Sequence, residues 1–116
     1  MKNIRVIITK IPVYKDFTYT KAYPYINNFI NFQNRLSKQA AKFPGFITSE
    51  SYWKINGLSN TQSTPPIINI SNWDNETSWN NWIESNDRKL VLKEHNDIEY
   101  HENIDICKGR RSYIDT

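Results

Sequence analysis

Three indoles fall within ten positions of this 116-residue chain: Trp73, Trp79 and Trp82, in the stretch SNWDNETSWNNWIESNDR. Flat rings of this kind can wall a dry slot, and each brings one N–H donor. Asn69 stands in phase with Ile67, Ser71 and Trp73 if residues 67–73 form a strand. Its amide both donates and accepts, so it could grip a phenolate or a peroxy oxygen. A packing role competes with each of these. Trp79, Trp82 and Ile83 recur at i, i+3 and i+4, the spacing of an apolar helix face, in a chain short of leucine that must fill volume with rings. Fifteen asparagines and sixteen isoleucines, both with AT-rich codons, make a compositional bias that lowers the weight of any one asparagine. Asn69 therefore also reads as a structural or solvent-facing residue.

Other reactive types are sparse. His95 and His101 flank NDIEY and read as members of a surface connection. A general base must lie within hydrogen-bond reach of substrate, and neither spacing argues for that. Glu50 is expected to face solvent. Cys107, the lone cysteine, excludes an internal disulfide and reads as a small buried filler. No Cys/His spacing matches a zinc site, so no metal is expected. A net charge of +3 is too small to imply a polyanion, and no nucleic-acid partner is expected. Lys108, Arg110 and Arg111 read as a solvated strand end. The N-terminus is too short and mixed for a signal peptide, and no 18-residue apolar span exists. A soluble, cytoplasmic protein with no membrane partner is the expectation.

The elements that must position these residues follow from local pattern. Residues 3–9 are short and β-branched, a strand. Residues 10–21 read as an irregular strand extension or a connection, with Pro12 opposing a central strand. A helix is expected over 23–43, with Pro24 in its first turn and Pro44-Gly45 as its stop. A strand follows from Phe46. Strict alternation would point Phe46, Thr48, Glu50 and Tyr52 one way and Ile47, Ser49, Ser51 and Trp53 the other. Residues 56–66 are a loop by composition, closing a hairpin onto the strand at 67–73. Asp74 is placed to cap a helix starting at Asn75, and Ser85 to cap a shorter one running toward His95. Residues 103–114 read as the last strand. Tyr14, Tyr19, Tyr23 and Tyr25 either pack on the first helix or cover a pocket mouth.

This order is β-α-β-β-α-(α)-β over a single domain, 1–116. It is the ferredoxin-like α+β pattern, with a four-stranded antiparallel sheet covered by helices on one face. The bare face must find a partner, and a second copy of the chain is the simplest one.

FPGFITSESYW and IINISNWDNETSWNNWIESNDRK together resemble the antibiotic biosynthesis monooxygenase (ABM) family. The likeness covers about residues 36 to 92, and the flanks match by topology. It implies a dimeric α+β barrel, two sheets packed face to face, with a pocket between sheet and helices in each subunit. Family members include cofactor-independent oxygenases of polyphenolic aromatics, haem-degrading monooxygenases and proteins with no assigned chemistry. The oxygenase branch uses a strand Asn four positions before a Trp, matched by Asn69 and Trp73. Its Tyr six residues further on is Trp79 here, which removes a hydroxyl. Its basic residue falls near Lys93 or Arg88. The haem branch needs a His ten residues after the helix Trp; Trp82 matches, but Leu92 stands at the ligand position.

The resemblance thus implies a monooxygenase without a cofactor, acting on a small aromatic or quinol-like molecule, with haem disfavoured. Such a substrate must itself become an electron-rich anion able to reduce oxygen, in a dry slot with donors that hold the anion. Asn69 and Trp73 would be its catalytic pair. Trp79, Trp82, Arg88 and Lys93 would bind substrate. The alternatives are a non-catalytic dimer that binds a small ligand or a protein, and a haem-binding or haem-degrading protein.

Overall fold

Residues Ile4–Pro12 form β1, Tyr19–Ala40 α1, Phe46–Trp53 β2 and Ile67–Trp73 β3, followed by α2 (Glu76–Ile83), α3 (Asn86–Glu94) and β4 (Tyr100–Lys108). The computed structural model describes residues 3–13, 19–55 and 65–109, and the side chains among them except those of 19–26. The strands lie in the order β2-β3-β1-β4, and every neighbouring pair is antiparallel. This is the expected ferredoxin-like α+β sheet.

Alternation along the two central strands decides which face is inside. Ile4, Val6 and Lys10 of β1 are buried, as are Ile67, Asn69, Ser71 and Trp73 of β3. The helices cover this face with Phe29, Phe32, Leu36 and Ala40 of α1, Trp79 and Trp82 of α2, and Val91 of α3. Ring edges lock the packing: Phe46 meets Trp73 at 5.4 Å and 88°, and Trp73 meets Trp79 at 5.8 Å and 68°. Edge-to-face pairs of this kind add about 1 kcal/mol each beyond their burial. The opposite face carries Ile7, Ile11, Ile68 and Ile70 on the central strands. Arg5, Asn72, Thr48 and Glu50 are partly or fully exposed around them.

Several boundaries differ from local expectation. Helix α1 begins at Tyr19, so Pro24 stands in its second turn rather than its first. The cap of α2 is Asn75, whose Oδ1 accepts from the Ser78 N–H at 2.9 Å. Asp74 is held one step outside, because its own N–H donates to the Gly45 carbonyl at 2.8 Å. Ser85 caps α3 as expected, accepting from the Arg88 N–H at 3.1 Å. Strand β4 starts at Tyr100, which places His101 in the sheet rather than in a connection; residues 110–114 and the loop 56–64 lie outside the described residues.

The strict alternation expected of β2 also fails. Phe46 pairs with Trp73 and Thr48 with Asn72, so Ile47 is an extra, bulged residue. A bulge turns everything before it to the other face. Phe46 therefore shares the helix-covered side with Ser49 and Ser51, instead of pointing with Thr48 and Glu50.

Gly45 ties this corner together. Its φ is +90°, and a Cβ there would collide with the Ser78 hydroxyl and the Asp74 carboxylate. Substitution Gly45→Ala is expected to cost about 1–3 kcal/mol of unfolding free energy in urea titrations. A change near zero would mean that the turn and α2 are not packed this closely.

Candidate active site

Between the covered sheet face and the helices lies a slot of about 30 Å³, room for one or two water molecules. Trp79 and Trp82 wall it from α2, Trp73 and Asn69 from β3, Lys10 from β1 and Arg88 from α3. Five of the six residues singled out from sequence thus converge here. Lys93 does not: it is exposed on α3 and outside the lining, whereas Arg88, nearer the start of the same helix, faces in.

The indoles are core and wall at once. Trp73 is completely buried and donates its N–H to Ser71 Oγ at 3.0 Å, so that donor is already engaged. Trp79 and Trp82 are each 4% exposed, and Phe43 meets Trp82 edge-on at 5.3 Å. Asn69 is buried rather than solvent-facing. Its Nδ2 lies 2.9 Å from Ser49 Oγ and 3.0 Å from Ser51 Oγ, which fixes the amide against β2. The Arg88 guanidinium is steadied by the Ile83 carbonyl at 3.4 Å, at the end of α2.

The feature missed from sequence is Lys10. It is 3% exposed, on the inward phase of β1 after Ile4, Val6 and Ile8. Its Nζ donates to Gln33 Oε1 at 2.6 Å and lies 3.9 Å from Glu102 Oε2. The Phe32 and Tyr100 rings stand 5.6 and 5.9 Å from it, where their faces attract a cation. Burial pulls its pKa down to about 8, the Glu102 carboxylate opposing that and Arg88 adding to it. The same burial, helped by Glu102 and opposed by Arg88, pushes the Tyr100 phenol up, so Tyr100 keeps its proton. A charged residue on the apolar phase of a strand was the available signal. It could have marked Lys10, though not its partners on α1 and β4.

Gln33 also borders a second cavity, of about 200 Å³, between α1 and β2, where Ile30, Trp53 and Ile67 supply apolar surface. From Gln33, Nε2 donates to Ser37 Oγ at 3.2 Å.

The remaining reactive side chains lie elsewhere. His95 closes the C-terminal end of α3, 5.3 Å from the Phe32 ring, and its Nε2 accepts from Arg35 at 3.0 Å. His101 and Cys107 are exposed on β4, so Cys107 is not the buried filler expected; β4 is an edge strand, and its outer face is uncovered. Glu50 is exposed beside the Tyr52 hydroxyl, as expected. The side chains of Tyr14, Tyr19, Tyr23 and Tyr25 lie outside the described residues. Leu92 packs against the core, and the described residues of the slot's lining include neither His nor Cys. Among the described residues, no group of three or more His, Cys, Asp and Glu could hold a metal ion. None of their helices is long and apolar enough to cross a membrane.

No protein-family model and no curated protein matches the chain. Solved structures do. SnoaB from Streptomyces nogalater, described as a cofactor-independent oxygenase, superposes with a TM-score of 0.72 at 9% identity over 97% of this chain and 98% of that one. A dimeric protein of unknown function and ferredoxin-like fold from Bacteroides fragilis gives 0.64 at 13% identity, over 91% and 96%. A conserved Bacteroides thetaiotaomicron protein, described as a possible oxidoreductase, gives 0.60 at 11%, over 93% and 98%. These likenesses span nearly the whole chain. At these identities the likeness is one of fold.

Lys10 makes stability depend on pH. The unfolded chain holds this proton up to about pH 10.5, the folded chain only to about 8. Between those values the unfolded state binds more protons, so Lys10 makes stability rise with pH, and its burial penalty is complete below about 8. At about 1.4 kcal/mol per unit, the difference is roughly 3 kcal/mol. Subtracting the stability profile of Lys10→Met from that of the parent should expose this rise in denaturant titrations. A flat difference would mean that the amine is solvated.

Proposed function

We propose that the chain is an ABM-type, cofactor-independent monooxygenase of a small aromatic or quinol-like molecule. The observation that carries this reading is a buried polar slot that brings two cations, Lys10 and Arg88, against an indole wall. An electron-rich phenolate needs such a place: cations to hold its charge, flat walls and little water. The anion gives four electrons to dioxygen. One oxygen atom replaces hydrogen on a ring carbon, which becomes a carbonyl, and the other leaves as water. Asn69, fixed by Ser49 and Ser51, would orient the oxygenated intermediate. Trp79 and Trp82 would wall the end of the substrate that enters the slot, Trp73 would back them, and Arg88 would steady the negative charge. SnoaB's description as a cofactor-independent oxygenase supports the reading by fold.

Oxygen-electrode assays with a panel of phenols, hydroquinones and anthrones should show uptake, with one labelled oxygen atom in the product. Asn69→Ala and Arg88→Ala should each lower kcat/KM by about tenfold to a hundredfold. A folded protein that consumes no oxygen with any of them would instead be a ligand-binding module.

We also infer that two copies pair through the bare sheet face. Ile7, Ile11, Ile68 and Ile70 form its centre, with the opposite charges of Arg5 and Glu50 on the same face. A self-complementary patch of this kind suits a two-fold dimer. Sedimentation should give a dimer for the parent and a monomer for Ile70→Glu. A monomeric parent at micromolar concentration removes the barrel.

A further inference from the structure

Gln33 is the wall between two cavities of different chemistry. The slot carries Lys10, Arg88, Tyr100 and Glu102, and the groove carries Ile30, Trp53 and Ile67. Asn69 marks the same division from the sheet, since its amide reaches Ser49 on the slot and Ser51 on the groove. The slot's 30 Å³ admits little more than a hydroxyl group. An apolar cavity of roughly 150 Å³ holds benzene. The groove's 200 Å³ is open to solvent and has room to seat one ring with small substituents against Ile30, Trp53 and Ile67.

Resting on the oxygenase reading above, we propose that the substrate is a monocyclic phenol or hydroquinone whose ring lies in the Trp53 groove and whose hydroxyl passes Gln33 to give its proton to Lys10. In that step the O–H bond breaks, an N–H bond forms on Nζ, and the electron pair stays on the phenolate oxygen. No other charged or titratable group in the slot suits the task. Arg88 never gives up its proton, Tyr100 keeps its own, and Glu102 is a weaker base than an amine. A pKa near 8 leaves a useful neutral fraction of Lys10 at working pH, unlike a surface lysine. After transfer, the ammonium and Arg88 both face the phenolate. Gln33 Oε1, already 2.6 Å from Nζ, holds the amine in place through the change.

The test needs no turnover. A one-ring phenol that ionises slightly above about pH 8, such as 3-nitrophenol, is mixed with the anaerobic protein at about pH 7.5, where it is mainly protonated in water and about a quarter of Lys10 is neutral. The phenolate absorbance band should grow on binding. Lys10→Met should abolish the growth, and Trp53→Ala should weaken binding about tenfold while leaving the bound phenol ionised. Both variants are first checked for a parental circular dichroism spectrum. A phenol that does not bind, that binds protonated, or that still ionises in Lys10→Met overturns the proposal. So does a three-ring phenol that binds as tightly as the one-ring probe. Ionisation of the probe by a protein that takes up no oxygen with any electron-rich phenol or hydroquinone would sink the oxygenase reading and leave this one standing. Oxygen uptake at the parental rate by Lys10→Met would do the reverse.

Discussion

A β-strand sends successive side chains to opposite faces, and that two-residue period constrains everything else in this molecule. On β1 it commits Ile4, Val6, Ile8 and Lys10 to the helix side together, so the lysine goes inside with the three apolar residues. On β3 it does the same to Ile67, Asn69, Ser71 and Trp73. A one-residue slip between these strands would expose the core and solvate Lys10 at once. The register Ile4↔Trp73 through Lys10↔Ile67 therefore sets the site and the fold together.

Burying an ammonium is costly unless it finds partners. Here the partners are a carboxamide from α1, a more distant carboxylate from β4 and two ring faces. None is a close, dedicated counter-ion, since Glu102 stands 3.9 Å away and is partly exposed. That incomplete compensation is what lowers the pKa. A structural lysine would gain from a tighter pair, whereas a group that exchanges a proton with a ligand must remain poised between two states.

The indoles show how one residue type serves packing and chemistry together. Trp73 is completely buried and its N–H is taken by Ser71, so it works as a stiff backing for the slot. Trp79 and Trp82 line the slot from α2, held by edge contacts with Phe43 and Trp73. The choice between core and pocket is therefore not exclusive, and spacing along α2 alone could not have separated them. Arg88 faces in and Lys93 faces out for a related reason. The Ser85 cap sets where α3 begins, and the two residues lie five positions apart, on different sides of the helix.

Local pattern was enough to read the element order, the hairpin, the Ser85 cap and the inward phase of Asn69 and Trp73, because these depend on a few neighbouring residues. It was also enough to indicate a bare sheet face and a cluster of indoles on the side opposite it. Tertiary structure alone decided the rest. The bulge at Ile47 turns Phe46 toward Trp73, and the Gly45 carbonyl draws Asp74 out of the cap position. Lys10, Gln33 and Glu102 come together from β1, α1 and β4. Their partnership depends on which strands become neighbours and where a helix crosses them. Periodicity along the chain records the face a side chain points to, but not what waits on the other side of the gap.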